Sequence, residues 1–174
     1  MTGGDSTHVR VAREADADGV RELFRAAYGT QYTYPQFYDV DFLRHLIMGE
    51  DALMLVAEDP TGRILGTASV ILEIGAYSDL VGEFGRLVVH PDARGRGIGS
   101  RLMDERLRRV RDRLHVGIVD ARVTHPFSIR IARKHGFVSV GFAPLKDRFA
   151  DVRESAAVLA QWFGESLSLR RNNP

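Results

Sequence analysis

Apolar positions recur along the chain with two different periods, and each period predicts one kind of element. Alternating or continuous apolar runs, typical of β-strands, occur at 8–13, 52–58, 63–74, 82–89, 115–123 and 137–145. Apolar residues three and four apart, typical of amphipathic α-helices, occur at 16–27, 35–48, 97–112, 126–135 and 151–164. The order of these segments predicts a mixed α/β (α+β) fold, in which helices flank a central sheet.

Turn and cap residues mark where several of these elements begin and end. Asp16 is a candidate cap for the first helix, and Pro35 is suited to the first turn of the second helix. The Asp-Pro-Thr-Gly segment at 59–62 predicts a tight turn between two strands. Gly136 predicts the end of the fourth helix, directly before the strand that starts at Phe137.

Length and charge limit the classes of protein that fit. With 174 residues, the chain is expected to form a single domain, 1–174, with its core at about 8–145. The 24 Lys and Arg residues nearly balance the 23 Asp and Glu residues, so no overall basic field favours nucleic acid or an anionic membrane. No apolar run reaches the length of a membrane span. The chain holds no cysteine, which excludes disulfides, thiolate metal sites and cysteine nucleophiles. This does not fix the compartment, but a cytoplasmic enzyme fits and is our expectation.

The helix predicted at 97–112 carries a run of arginines that could indicate a nucleic-acid stripe. Acidic residues interleave with it at helical pair spacing, at Asp104, Glu105 and Asp112. We therefore interpret the run as a solvated, salt-bridged face that binds no nucleic acid. It comprises Arg101, Arg106, Arg108, Arg109, Arg111 and Arg113.

A short arginine- and glycine-rich segment lies between the strand at 82–89 and the helix at 97–112. It reads Arg-Gly-Arg-Gly-Ile-Gly at 94–99 and follows His90-Pro91. Glycines let backbone N–H groups approach a ligand closely, and the first N–H groups of a helix have no internal partner. The helix dipole also favours negative charge there. A strand, a glycine turn and a helix N-terminus in this order predict a phosphate-binding loop.

Two better-known phosphate loops do not fit this spacing. A Walker loop requires a Lys-Ser/Thr pair after its last glycine, and none follows Gly99. A dinucleotide-binding loop requires Gly-x-Gly-x-x-Gly within alternating parallel β-α units. The glycines here are Gly95, Gly97 and Gly99, and the preceding strands form a hairpin meander. A different ligand with a phosphate chain is therefore indicated.

The residues around this loop resemble a known signature. The chain contains the pattern Leu87-x-Val89-x-Pro91-x-x-Arg94-Gly95-x-Gly97-x-Gly99-x-x-Leu102-Met103. This pattern resembles the acyl-CoA motif of the GNAT superfamily of N-acetyltransferases. A second family marker, a helix that ends in Gly-Phe, resembles the segment 132–137. The resemblance covers roughly residues 8–145. It implies a GNAT-like acyl-CoA N-acyltransferase fold with about six or seven strands in a mixed sheet, acetyl-CoA as co-substrate, and no metal.

The resemblance also implies where acetyl-CoA binds. The sheet is expected to open between the strand that ends at Val89 and the strand at 115–123, and the pantetheine arm is expected to lie in that opening. The backbone groups expected to pair with it belong to Leu87, Val88 and Val89. Ser128 is either a CoA contact or a plain exposed helix residue. The pyrophosphate is expected on the backbone N–H groups of Arg94, Gly95, Arg96, Gly97, Ile98, Gly99 and Ser100.

Acetyl transfer to an amine needs a base, because an ammonium group has no lone pair with which to attack a carbonyl. With no cysteine in the chain, direct attack within a complex of enzyme, acetyl-CoA and amine is expected. Glu83 is the candidate base, on the same strand face as Gly85 and Leu87 by alternation. Its alternatives are a solvated edge carboxylate or a salt bridge to Arg86 or Arg122. Lesser candidates are Glu73 and Asp79.

The candidate general acid departs from the family pattern. Many members carry an asparagine and a catalytic tyrosine at the places held here by His125 and Ala132. His125 is therefore a candidate pantetheine contact or proton donor, and the alternative is a histidine of the helix N-cap region beside Pro126. A tyrosine of the segment 28–38 is another candidate. Some members need no dedicated acid, since a thiolate is a fair leaving group.

The acceptor site is implied to lie at the two helices after the first strand and at their junction. Four of the chain's five tyrosines lie at this junction. Aromatic faces attract ammonium groups, and Asp39 and Asp41 follow at once. Ordinary core packing is the alternative. The candidate acceptor-binding residues are Tyr28, Tyr32, Tyr34 and Tyr38.

The last part of the chain departs from the family, whose members usually end with a strand beside the Gly-Phe strand. Here a helix at about 151–164 is predicted, and Leu167-Ser168-Leu169 is a short candidate strand. A truncated longer protein, a further domain and a homodimer all stay open. The expected function is acetyl transfer from acetyl-CoA to an amine of a small molecule or protein. The alternative is an inactive acyl-CoA-binding regulatory module, which only the missing tyrosine favours.

Overall fold

The computed structural model describes residues 6–72 and 80–168. The strands are β1 (His8–Val11), β2 (Ala52–Glu58), β3 (Ile64–Ile71), β4 (Val81–Val89), β5 (Val116–Arg122), β6 (Val138–Phe149) and β7 (Val152–Trp162). The helices are α1 (Ala17–Tyr28), α2 (Val40–Met48), α3 (Ile98–Val110) and α4 (Pro126–Lys134). Short 3-10 turns lie at Glu14–Asp16, Pro35–Tyr38 and Pro91–Ala93.

The strands form one seven-stranded sheet in the order β1-β2-β3-β4-β5-β7-β6. β4 and β5 are parallel, and the other neighbours are antiparallel. The parallel pair is joined through α3, because parallel strands need a crossover connection. The predicted α/β class and mixed central sheet are therefore confirmed.

Helices cover both faces of the sheet. Successive side chains of β2 point to opposite faces, and each is buried against the helices on its own face. Met54 and Val56 belong to a cluster with Leu23 of α1 and Leu43 of α2. Leu55, between them, belongs to a cluster with residues of α3. All five side chains are at most 2% exposed. Across 6–72 and 80–168, no helix combines the length and apolar character needed to cross a membrane.

The predicted helix at 151–164 is wrong, because this segment forms β7. β7 lies between β5 and β6 and pairs with both. The Ala-Ala-Val-Leu-Ala run at 156–160 contains strong helix formers, but the pairing partners on both sides override this local preference. A last strand beside the Gly-Phe strand is therefore present. Leu167 and Ser168 lie in a turn rather than a strand, and Leu169 lies outside the described residues.

The second helix is preceded by Asp39 as its N-cap residue and does not start at Pro35, as was predicted. Pro35 opens a 3-10 turn, and α2 starts at Val40. The Asp39 carboxylate accepts the backbone N–H groups of Asp41 and Phe42. This side chain therefore caps α2.

Asp16 precedes α1, but its side chain does not cap the helix as predicted. Its carboxylate accepts the Arg13 backbone N–H at 2.7 Å and forms an ion pair with Arg10. Arg10 also pairs with Glu58 of β2. These side chains therefore link β1, β2 and the start of α1.

One arginine of α3 contradicts the predicted solvated face. Arg108 and Arg109 pair with Glu105 on the outer side of the helix, as expected. Arg106 is 0% exposed, and its guanidinium contacts the sheet. The helical repeat turns position 106 to the same buried side as Val110.

Candidate active site

The glycine-rich segment forms an open loop at the N-terminus of α3. Gly95 and Gly97 have φ angles of 79° and 78°, a left-handed conformation that glycine adopts without strain. A Cβ atom built on either residue meets no atom within 4 Å. Gly97 is the N-cap of α3 and has no side-chain acceptor for the first helical N–H groups. These groups can therefore bind an anion, beside the exposed Arg94 and Arg96.

The later residues of the predicted loop turn towards the protein. Ile98 is 1% exposed. A Cβ atom on Gly99 would lie 2.9 Å from Ile131 Cδ1 of α4, so glycine lets the two helices approach. Only backbone groups of these two residues can then face a ligand. Ser100 is half-buried, and its hydroxyl lies 3.4 Å from His135 Nε2.

The sheet opens between β4 and β5, as predicted. Residues 81–83 pair with residues 116–118. Beyond them, β4 continues to pair with β3, and β5 continues to pair with β7. The facing edges at 84–89 and 119–122 have no strand partner among the described residues. Such edges present backbone N–H and C=O groups to any extended ligand.

A β-bulge interrupts β4 within the part that has no β5 partner, with two residues between it and Glu83. Two residues of β4, Arg86 and Leu87, together oppose the single residue Ala68 of β3. The register on either side is Ser69↔Gly85 and Thr67↔Val88. Arg86 has a φ of 52°, in the left-handed region that residues other than glycine rarely adopt.

The bulge reverses the direction in which β4 side chains point. Before it, Phe84 packs in the cluster that contains the α3 residue Met103, so Glu83 faces the opposite side. After it, Leu87 packs in a cluster with α3, and Val88 packs against the α1 and α2 cluster. The prediction that Glu83 and Leu87 share a face is therefore wrong, because the alternation does not continue through the bulge.

Glu83 forms an ion pair with Arg86, one of the alternatives left open by the sequence. Arg86 Nη1 lies 2.7 Å from Glu83 Oε1. The same guanidinium lies 5.8 Å from the centre of the Tyr34 ring. The Glu83 side chain is still 34% exposed, so solvent or a substrate can reach it. Glu73 and Asp79 lie outside the described residues.

The four candidate tyrosines differ in how far they reach solvent. The ring centres of Tyr28 and Tyr32 lie 6.2 and 4.8 Å from that of Phe24, and burial raises the pKa of both phenols. The Tyr38 hydroxyl accepts the Tyr32 backbone N–H at 3.0 Å. Core packing, the alternative left open, accounts for these three. Tyr34 is the most exposed of the four, at 37%, and its ring centre lies 5.7 Å from that of Tyr32.

The β6–β7 hairpin approaches the tyrosine segment and closes one side of the site. The Thr33 hydroxyl donates to the Arg148 carbonyl at 3.0 Å. Sequence reasoning missed this wall because β7 was predicted as a helix. The continuous apolar run at 156–160, which is as typical of a strand paired on both edges as of a helix, was the signal that could have revealed it.

Charged side chains of β5 are paired with the hairpin rather than with Glu83. Arg122 donates two hydrogen bonds to Glu154, each 2.6 Å long, and these lower the pKa of Glu154 to about 2. The Arg122 guanidinium also lies 3.4 Å from the centre of the Phe149 ring. Lys146 forms an ion pair with Asp120. The predicted alternative of a Glu83–Arg122 bridge is therefore not what the structure contains.

His125 lies at the far end of β5 from Glu83. It is the N-cap residue of α4 without a side-chain cap bond, and its backbone N–H donates to the Arg122 carbonyl at 3.2 Å. Glu83 pairs with Ile118, and about 13 Å of strand separates Ile118 from Arg122 at the usual rise per residue. The structure therefore does not bring the two candidate catalytic residues together.

The remaining candidates on α4 have different environments. Ser128 is half-buried near the start of the helix. Ala132 is 0% exposed and packs in the cluster with Phe137, so a larger side chain at 132 would have to displace core residues. Within the described ranges, no three His, Cys, Asp or Glu side chains are grouped to hold a metal ion.

Solved structures of acetyltransferases share this fold. The GNAT superfamily phosphinothricin acetyltransferase from Sinorhizobium meliloti, solved with AcCoA, has a TM-score of 0.79 and 22% identity, over 96% of this chain and 94% of its own. A variant of the spermidine N-acetyltransferase SpeG from Vibrio cholerae has a TM-score of 0.74 and 16% identity, over 94% of this chain and 98% of its own. Curated protein sequences give no match.

A known domain family matches the central part of the chain. The acetyltransferase (GNAT) domain matches residues 50–139, just over half of the chain. This segment contains the bulged strand β4, the glycine-rich loop, α3, β5 and α4. These are the elements that form the open loop and the gap in the sheet. The chain belongs to the GNAT family of acetyltransferases, and it is an acyltransferase.

Proposed function

We propose that this protein transfers an acetyl group from acetyl-CoA to an amine of a small molecule or protein, by direct attack in a ternary complex. One observation carries the proposal. The unpaired edges of β4 and β5 lead from the glycine-rich loop at 94–100 directly to the level of Glu83. A ligand with phosphates at one end and a reactive group at the other fits this path.

The cofactor end of the path suits coenzyme A. The pyrophosphate lies on the N–H groups of 94–100, with Arg94 and Arg96 adding positive charge. The pantetheine arm lies along the β5-facing edge of Leu87, Val88 and Val89. These contacts use the backbone, so the core packing of the Leu87 and Val88 side chains supports rather than opposes the role. We assign Ser128, which is half-buried near the start of α4, as a further CoA contact.

Glu83 acts as the general base in this proposal. A carboxylate that is one-third exposed can take the ammonium proton, directly or through water. The amine lone pair then attacks the thioester carbonyl to form the C–N bond, the C–S bond breaks, and the thiolate of coenzyme A leaves. The second proton of the attacking nitrogen passes to solvent or to the thiolate. Holding both reactants in one cleft supplies much of the rate.

Neither His125 nor Ala132 serves as a general acid in this proposal. His125 lies beyond the end of β5, so we assign it a pantetheine contact rather than proton donation to the thiolate. Ala132 has no acidic group. The thiolate is a fair leaving group, and the proposal needs no dedicated acid.

The acceptor binds between the tyrosine segment and the β6–β7 hairpin. Tyr34 offers an aromatic face for a cationic amine. The surrounding charges have both signs, with Glu83 and Arg86 on β4 and Arg122 on β5. Two enzymes of this fold are named for spermidine and phosphinothricin, which supports a small amine as one class to test.

The direct test is release of free thiol from acetyl-CoA in the presence of a panel of amines. The panel contains polyamines, amino acids and a lysine peptide. The proposal expects turnover that requires both acetyl-CoA and at least one of these amines. Tight binding of CoA without turnover on any acceptor would favour the inactive binding module instead.

A further inference from the structure

Arg106 is a buried cation at the centre of the fold. It lies on α3, is 0% exposed, and is the largest fully buried side chain among the described residues. Its guanidinium carbon lies 5.3 Å from the centre of the Phe84 ring. Nη2 contacts Met103 Sδ at 3.3 Å. The surroundings of this charge are therefore aromatic and apolar.

No carboxylate pairs with Arg106 among residues 6–72 and 80–168, and its Nε has no hydrogen-bond partner there. Burial lowers the pKa of this guanidinium to about 9. An unpaired buried charge is costly to fold, whereas an apolar side chain of similar size in the same place is not. Packing alone therefore does not explain an arginine at this position.

The polar contacts of Arg106 converge on the bulge of β4. Nη1 donates to the Ser69 carbonyl at 3.1 Å and to the Gly85 carbonyl at 3.2 Å. Ser69 and Gly85 are the last cross-strand partners before the bulge. One guanidinium nitrogen therefore bridges β3 and β4 at the point where their regular ladder stops.

The bulge itself is strained at the next residue. Arg86 has a φ of 52°, where glycine is the usual choice in such a bulge. Backbone strain of this kind persists only when the surroundings hold it, and it clusters at functional sites. The two bonds from Arg106 are contacts that can hold it.

We propose that Arg106 is a positioning residue that maintains the β4 bulge. The bulge keeps the side chains of Glu83 and Leu87 on opposite faces of the sheet and so sets the orientation of the backbone edge at 87–89. Without the bulge, regular alternation would carry Glu83 and Leu87 to the same face. Arg106 touches neither substrate nor reacting atoms, and it acts through the Gly85 carbonyl. The effect on catalysis rests on the proposed roles of Glu83 and 87–89. The effect of Arg106 on the bulge does not, because amide hydrogen exchange in β4 can be measured without activity.

The first experiment compares Arg106→Met, Arg106→Lys and the control Arg109→Met on the outer side of α3. The Met variant should lose about 30-fold or more in kcat, because small displacements of reacting groups are costly. Its KM for acetyl-CoA should rise as well, by about threefold or more, because the loss of the bulge moves the backbone of 87–89 that is proposed to hold pantetheine. The Lys variant should recover to within about fivefold, since one donor and the charge remain. The control should stay within about twofold.

The second experiment measures amide hydrogen exchange of residues 84–89, which needs no activity. Arg106→Met should exchange faster there while β2 and β7 keep their protection. A folded Arg106→Met protein with wild-type kcat and wild-type exchange at 84–89 overturns the proposal. If the wild-type protein shows no turnover at all, the proposed function fails, and the exchange result still decides the role of Arg106 in the bulge.

The variant Arg86→Gly covers the case in which Arg106→Met does not fold. Glycine removes the strain at the left-handed position, so the bulge should depend less on Arg106. If Arg106→Met alone does not fold, the double variant Arg86→Gly/Arg106→Met should regain a cooperative thermal transition. If Arg106→Met alone folds, it should lower the melting temperature less in the Arg86→Gly background than in the wild-type background. A double variant that stays unfolded, or equal losses in both backgrounds, contradicts the proposal.

Discussion

At the scale of single residues, Glu83 has two properties that suit a base. It faces the side of the sheet that carries the tyrosine segment, and it is half-buried rather than enclosed. Its ion pair with Arg86 holds the side chain in one place. Arg86 is in turn positioned by the bulge and by the Tyr34 ring. The orientation of the candidate base therefore depends on its neighbours and cannot be derived from position 83 alone.

Replacing Glu83 by glutamine tests the base. The amide keeps the size of the side chain but cannot accept the ammonium proton, so kcat should fall by about 100-fold or more. The KM for acetyl-CoA should change little. Steady-state kinetics at neutral pH check this, with Glu50→Gln, at an exposed position, as the control. Full activity of Glu83→Gln would remove Glu83 from the mechanism.

At the scale of elements, the glycine-rich loop joins a strand that ends at Val89 to a helix that starts at Ile98. Its two left-handed glycines leave the backbone open on the outer side. Asp39 gives α2 the side-chain cap that Gly97 does not give α3. A helix that begins without its own cap can accept a ligand in that place.

Replacing Gly97 by alanine tests the loop against a matched control. Gly62, in the β2–β3 turn, has a φ of 85° and equally open surroundings. Gly62→Ala and Gly97→Ala should therefore cost similar stability, about 1 kcal/mol each. Only Gly97→Ala should weaken CoA binding, by about tenfold, because its backbone meets the phosphates. Calorimetric titration with CoA and thermal melts measure the two effects, and equal affinities for both variants would contradict the loop assignment.

Replacing Asp39 by alanine tests the cap of α2. The variant loses the acceptor for two backbone N–H groups, and the free energy of unfolding should fall by about 1 kcal/mol. Urea unfolding measures the change. Asp41→Ala, which removes only an exposed pair with Arg44, should cost about 0.5 kcal/mol or less. An unchanged free energy of unfolding in Asp39→Ala would contradict the cap.

At the scale of the whole molecule, β7 connects the two halves of the sheet. It pairs with β5 along residues 116–122 and with β6 along most of its length. The Arg122–Glu154 pair ties β5 to β7 on the side that faces the cleft. The hairpin then contacts the tyrosine segment through Thr33.

The Arg122–Glu154 pair should make folding stability depend on acid pH. Hydrogen bonds from Arg122 lower the pKa of Glu154 from 4.5 to about 2. Between pH 4.5 and about 2, Glu154 is therefore more protonated in the unfolded chain than in the folded one. The stabilisation by the Arg122–Glu154 pair is complete above about pH 4.5 and is lost as the pH falls towards 2. Glu154→Gln should flatten that part of the stability curve in urea unfolding from pH 2 to 6. A curve identical to wild type would contradict the pairing.

Most of the fold and the position of the glycine-rich loop before a helix could be predicted because they depend on local patterns. The continuous apolar run at 52–57 and the glycines at 95, 97 and 99 are visible in a short window of sequence. β7 was missed because its alanines favour a helix until β5 and β6 provide partners. The bulge, the burial of Arg106 and the face of Glu83 depend on contacts between distant segments, which no local period contains.

The most direct measurement is a crystal structure of the protein with acetyl-CoA. We expect density for the pyrophosphate on the backbone N–H groups of 94–100 and for the pantetheine arm along Leu87, Val88 and Val89, between β4 and β5. The acetyl group should lie on the side that Glu83 faces. Acetyl-CoA bound outside this opening, or no binding at saturating concentration, would contradict the central claim.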